Sequence, residues 1–185
     1  MDIFLVVDGL SVLTLIGAII IGVLLLDALV ALLRKKSSAL SVFVSRHGLM
    51  LMFIVSLVAT LGSLFLSEIA GWTPCKDCWL QRIVMYPQVV ILGIALWKKD
   101  RSVALYVLAF CLIGIVLSTD HYIDQVMEAM KPIEVDPAVP CDDTGVSCAK
   151  TQIHFRFGYI TIPMMALTAF VLNALGSITM MRKRV

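Results

Sequence analysis

Charge is what this chain has least of. Charged residues are 15% of its 185 residues and hydrophobic ones 60%, where a soluble domain carries about 25% charged. The few charges come in clusters separated by long apolar runs, which fits a membrane protein better than a large soluble core. Water-soluble sequence is short too. The longest stretch without strong apolar character, about residues 120–156, is too small to fold alone without disulfides or a neighbour. No block of Lys and Arg lies outside the short connections, which argues against nucleic acid as a partner. A cleavable leader is not expected either. Asp2 and Asp8 stand where a basic n-region belongs, the apolar stretch is too long, and Arg34-Lys35-Lys36 follows it with no small-residue cleavage site. The first run therefore reads as an uncleaved anchor. No flavin or haem motif is visible, so any oxidant must come from outside the chain.

What is present is five apolar runs, each near the ~20 residues that cross a bilayer. They cover about Leu10–Leu33, Gly48–Leu66, Leu80–Trp97, Val103–Thr119 and Phe157–Met181. Arg34, Lys35, Lys36, Arg46, Lys98, Lys99, Arg101, Arg182, Lys183 and Arg184 fall on one side if all five span. By the positive-inside rule that side is cytoplasmic, the N-terminus is outside and the C-terminus inside. Asp27, near the inner end of the first run, reads as an interfacial carboxylate. Residues 120–131 space Asp120, Asp124 and Glu128 by four, with Ile123, Val126, Met127 and Met130 on the other side. This predicts an amphipathic helix at the outer surface, either continuing the fourth helix or lying on the membrane. Pro132, Pro137 and Pro140 then force a non-helical loop, and Pro163 predicts a kink in the fifth helix. The expected fold is an all-α membrane protein, a four-transmembrane-helix bundle plus one additional N-terminal transmembrane helix. Residues 1–47 form the anchor and its linker, and residues 48–185 form the bundle, with its outer loop at 120–156.

Chemistry is concentrated in the cysteines. Cys75 and Cys78 form a C-x-x-C just before the third helix, and Cys141 and Cys148 lie in the loop between the fourth and fifth. Both pairs fall on the outer, oxidising side. A helix N-terminus and a nearby cation stabilise a thiolate, and Arg82 lies one turn beyond Cys78 on the same face. A lowered pKa at Cys78 follows as an expectation. Arg82 itself sits in an apolar zone. It either snorkels outward or pairs with Asp77, or it donates to a carbonyl of a membrane-borne oxidant. The Cys141–Cys148 loop suits a mobile disulfide that meets a partner protein, and equally a staple for that loop. A zinc site of all four cysteines has unsuitable spacing, and no metal is expected. Cys111 reads as a small packing residue. His121 is either an interfacial residue or, near Arg82 in depth, part of a quinone pocket.

The motif Pro74-Cys75-Lys76-Asp77-Cys78-Trp79-Leu80-Gln81-Arg82, followed by Met85-Tyr86-Pro87, resembles the DsbB/BdbC family of bacterial disulfide bond formation proteins. So do Asp120-His121-Tyr122 with Gln125, Pro140-Cys141 through Cys148, and Phe157-Gly158-Tyr159-Ile160-Thr161-Ile162-Pro163-Met164. The resemblance covers about residues 48–181, and the short second loop looks more like the BdbC branch. It implies a four-helix bundle in the bacterial cell membrane that takes electrons from a thioredoxin-like, DsbA-type oxidase on the outer face. The electrons pass to a membrane quinone, ubiquinone or menaquinone. By the same resemblance Cys141 forms the mixed disulfide with the partner and Cys148 is its pair. Cys75 exchanges with that pair, Cys78 faces the quinone, Arg82 binds or polarises it, and His121 lies near it. Residues 1–47 depart from the family, whose members usually have four spanning helices.

Three rivals are weighed against this. An outward-carrying reductase needs cysteines reachable from the inner side, and only the single Cys111 lies within the membrane. A vitamin K epoxide reductase-like enzyme would place its C-x-x-C after the loop pair, the reverse of this order. A non-catalytic protein stapled by two disulfides predicts bonds that resist mild reductant.

Overall fold

The computed structural model describes residues 3–34, 38–130 and 157–182. Within them all regular structure is helical: α1 Ile3–Arg34, α2 Ala39–Leu64 ending in a π turn Phe65–Ile69, α3 Lys76–Lys98, α4 Ala104–Met130 and α5 Ile162–Arg182. All five are long and apolar enough to cross a membrane. Each takes one of the five runs of the sequence. α2 packs on α3 and α5, and α4 packs on the same two, which closes a four-helix ring. α1 packs only on α2 and α5, outside the ring. Alternating helix direction brings Arg34, Lys98, Arg101 and Arg182 to one end, where Arg101 reaches the Ser45 backbone and hydroxyl. The opposite, cysteine end holds Cys75.

The packing inverts the rule of a soluble core. Large apolar side chains such as Ile83, Val90, Leu105 and Val116 are exposed, facing what is lipid around a membrane helix. The buried positions of α4 are Ala104, Val107, Cys111, Gly114, Ser118, His121 and Gln125, one stripe at three- and four-residue spacing. Small residues let backbones approach, and some of the polar ones reach across to neighbouring helices. At mid-bundle the Asn173 amide donates to Ser56 Oγ at 2.8 Å and to Gln88 Oε1 at 3.2 Å. Cys111 Sγ lies 3.5 Å from the same oxygen. One buried polar knot thus ties α5 to α2, α3 and α4. Cys111 is fully buried in the core, and this weak sulfur contact adds to its packing.

One of the two placements expected for the amphipathic segment holds, and one local expectation changes. The amphipathic segment does not lie flat on the surface; residues 120–130 continue α4 as the same helix. Pro163 does not kink α5. It is the second residue of that helix, where its fixed φ suits a helix start and its missing N–H has no partner to lose. The fifth run opens instead with a turn in which Gly158 takes φ +64°, a conformation that favours glycine. The proline inside a helix is Pro87 of α3, tolerated because neighbouring helices and side chains can serve freed backbone groups.

A Cβ at Gly114 would stand 2.5 Å from the Phe170 ring, itself fully buried. Gly114→Val should destabilise the bundle by about 1–3 kcal/mol, the usual overpacking cost. Thermal unfolding in detergent checks this, and an unchanged midpoint would contradict the α4–α5 contact.

Candidate active site at the cysteine end

The π turn and an extended stretch through Thr73 and Pro74 deliver Cys75 to the N-cap of α3 with φ −73° and ψ 174°. Gly71, at φ +70°, makes the preceding bend. Cys78 then falls in the first turn of α3, so both sulfurs sit where the helix N-terminus is most positive. Cys75 Sγ donates to Cys78 Sγ at 3.3 Å, a thiol pair short of the ~2.05 Å of a bond. Cys75 is buried and Cys78 half-buried. The Cys75 thiol is pushed up to about 12, first by its hydrogen bond to Cys78 and then by burial, with the His121 contact opposing.

Arg82 is buried inside the bundle. Its Nε donates to Ser63 Oγ at 3.0 Å and one terminal nitrogen donates to Ser63 O at 2.9 Å. Tyr86 donates to the same hydroxyl at 3.3 Å. The guanidinium also lies 5.2 Å from the Trp79 ring centroid and 6.0 Å from that of Tyr86. It neither snorkels nor pairs with Asp77; α2 holds it through Ser63. Two of the guanidinium's three nitrogens are thereby fixed to α2, which sets its plane.

His121 is not at an interface. It is fully buried, with Nδ1 2.9 Å from the Gln81 amide nitrogen, and with Nε2 3.8 Å from Cys75 Sγ and 3.4 Å from the Gln125 amide nitrogen. With Gln81 donating to Nδ1, the ring proton sits on Nε2 and points at Cys75. Cys75, Cys78 and His121 offer ligand atoms all within 4.8 Å of one another. In the dithiol state they are soft enough and close enough to share a thiophilic ion.

These groups open on one cavity of about 330 Å³. Its polar groups include Cys75, Cys78, Gln81, Arg82, His121 and Ser63; most of the remaining lining is apolar side chains of α1, α2 and α5. The cavity suits a flat, carbonyl-bearing head with an apolar body. Cys75, Cys78, Arg82 and His121 are thus brought together, whereas Cys141 and Cys148 lie outside the described residues. Reading from the sequence missed Ser63 altogether. Gln81 stands in the sequence only within the motif Cys78-Trp79-Leu80-Gln81-Arg82, which was the available signal.

A bundle of membrane helices with a C-x-x-C buried at the head of an apolar pocket defines a class of membrane thiol protein. The family model for "Disulfide bond formation protein DsbB" matches residues 45–180. The Disulfide bond formation protein C of Bacillus subtilis (strain 168) is 46% identical over 120 residues, 65% of this chain and 82% of that protein. The Probable disulfide formation protein C of Halalkalibacterium halodurans is 43% identical over 132 residues, 71% of this chain and 91% of that protein. The SPbeta prophage-derived disulfide bond formation protein B of Bacillus subtilis is 38% identical over 123 residues, 66% of this chain and 78% of that protein. No solved structure matches. The chain belongs to the DsbB family of disulfide bond formation proteins.

A thiol raised to about 12 stays protonated at neutral pH, and its thiolate fraction grows about tenfold per pH unit until the pH nears that value. With Cys111, Cys141 and Cys148 replaced by Ala, alkylation of reduced Cys75 should rise about tenfold per pH unit up to about pH 11, since the thiolate is the nucleophile. Cys78→Ala removes the largest cause and should move the curve to lower pH. A plateau already reached by pH 9 would contradict the assignment.

Proposed function

We propose that the protein reoxidises a thioredoxin-like, DsbA-type partner outside the cell membrane and passes the electrons to a membrane quinone. The observation that carries this reading is the shared cavity, which sets a C-x-x-C, a buried arginine and a histidine at one end of an otherwise apolar pocket. The cysteine end faces outward and the basic end is cytoplasmic, by the positive-inside rule.

The partner dithiol attacks the Cys141–Cys148 disulfide, with Cys141 taking the mixed disulfide. Resolution releases an oxidised partner and leaves Cys141 and Cys148 as thiols. These in turn open the Cys75–Cys78 disulfide by exchange at Cys75, so each step breaks one S–S bond and forms another. Cys75 and Cys78 end as the dithiol, holding two electrons and two protons.

The quinone supplies a two-electron, two-proton acceptor. The residues present fit it. Arg82 offers a planar cation beside Cys78 for a carbonyl oxygen, and Ser63 holds that cation's plane. Trp79 and Tyr86 flank the guanidinium. Cys78, half-buried and on the cavity, is the sulfur that faces the acceptor. His121 is positioned by Gln81 with its Nε2–H toward Cys75, where it can donate to the Cys75 thiolate during exchange. When Cys78 closes back on Cys75, the pair is a disulfide again. Removing the cation should act at the acceptor step and not at exchange with the partner.

Arg82→Met should raise KM for a soluble quinone by about tenfold, as expected when a charged contact of roughly 1.4 kcal/mol is lost. Mixed-disulfide formation with a partner whose resolving cysteine is removed should continue at the wild-type rate. Unchanged quinone kinetics in that variant would overturn the role of Arg82.

A further inference from the structure

The family match begins at residue 45 and leaves α1 outside it. The Halalkalibacterium relative is 91% matched, so its remainder is too short for a helix of α1's 32 residues. Yet α1 is part of the cavity: Leu10, Leu13, Thr14, Ile16, Gly17 and Ile20 line it. The helix is held there by packing. Its buried residues are Val7, Ser11, Thr14 and Gly17, one stripe confined to the half nearer the cysteine end. Ser11 and Thr14 turn their hydroxyls back to their own helix, to Val7 O at 2.9 Å and Leu10 O at 2.8 Å.

Two glycines set how closely α1 seats. A Cβ at Gly17 would stand 2.8 Å from Thr168 Cγ2 of α5, and one at Gly62 of α2 would stand 3.0 Å from a Leu10 methyl. The helix therefore bridges α2 and α5 with close contact to each, at the level of the pocket. Beyond Gly17 no residue of α1 is buried. α1 thus seats most tightly on the seam between α2 and α5 near the polar site.

We propose that α1 is a third wall of the acceptor pocket that the family-matched region does not supply, and that the isoprenoid chain of the quinone lies against its Leu13–Ile20 face. This rests on the quinone reading of the site. The ring is held by groups of α2, α3 and α4, so α1 discriminates by chain and not by ring. A chain of branched apolar units suits a wall of Leu, Ile and Thr, and its far end can pass into lipid beyond Ile20, the last residue of α1 on the cavity.

Leu13→Trp and Ile16→Trp, made separately in the full chain in lipid nanodiscs, test this. Both side chains are about half exposed, so added bulk fills the pocket side without entering the bundle core. KM for a long-chain quinone should rise about tenfold, while a tail-less benzoquinone should change less than about twofold. Long-chain quinone retained through purification, measured by absorbance of an organic extract, should fall by a similar factor. Ile16→Ala, which adds no bulk, should lower that retention about two- to threefold. Leu26→Trp, on an exposed position outside the pocket, should change neither. Equal effects on both quinones, or none on either, would overturn the role of α1 while leaving the quinone reading in place. Failure of the unmodified protein to retain or reduce any quinone would instead overturn the quinone reading, and α1's role with it.

Discussion

A cation buried among apolar helices is the constraint around which this molecule is arranged. In hydrocarbon an unpaired guanidinium is costly, and it persists only where a partner, water or a ligand meets it. Here Ser63 meets two of its nitrogens and two aromatic rings flank it. That arrangement requires α2 to lie against α3 at one register. The same register brings the C-x-x-C to the head of the cavity, because Cys78 stands one turn before Arg82 on the same helix.

The other polar groups obey the same demand. The Gln81 amide of α3 donates to His121 Nδ1, and the Asn173 amide donates to Ser56 and Gln88. Two layers of hydrogen bonds result, one at mid-bundle that holds the ring of four helices and one at the cysteine end that orients reactive groups. The apolar effect cannot distinguish helix from lipid in a bilayer, so such bonds and close small-residue contacts set which helices meet. The buried hydroxyls of α1, Ser11 and Thr14, bond back to their own helix, and the close approaches at Gly17 and Gly62 seat it on α5 and α2.

Much of this was legible in the sequence because it is local. Five runs near bilayer length gave five helices, and the four-residue spacing of Cys78 and Arg82 put them on one face. Where the chain gave a choice, it was tertiary or terminal. Pro163 starts a helix because the turn at Gly158 precedes it, which the length of the apolar run conceals. Ser63 was illegible as Arg82's partner because it lies on another helix, as one of several serines in an apolar stretch. His121 and Gln81 are 40 residues apart, and nothing in either segment alone marks the pair. The wall made by α1 was hidden for the same reason: a uniformly apolar helix carries little record of which face meets a neighbour.

The central claim is that electrons enter as a partner dithiol and leave at the cavity. The most direct measurement is quinol formed per partner disulfide formed, using purified protein, a reduced thioredoxin-like partner and a soluble quinone. The account predicts one quinol for each partner disulfide, and none from Cys75→Ala or Cys141→Ala. Two stable disulfides among Cys75, Cys78, Cys141 and Cys148 that resist mild reductant, with no quinol formed, would contradict it and make the cysteines staples.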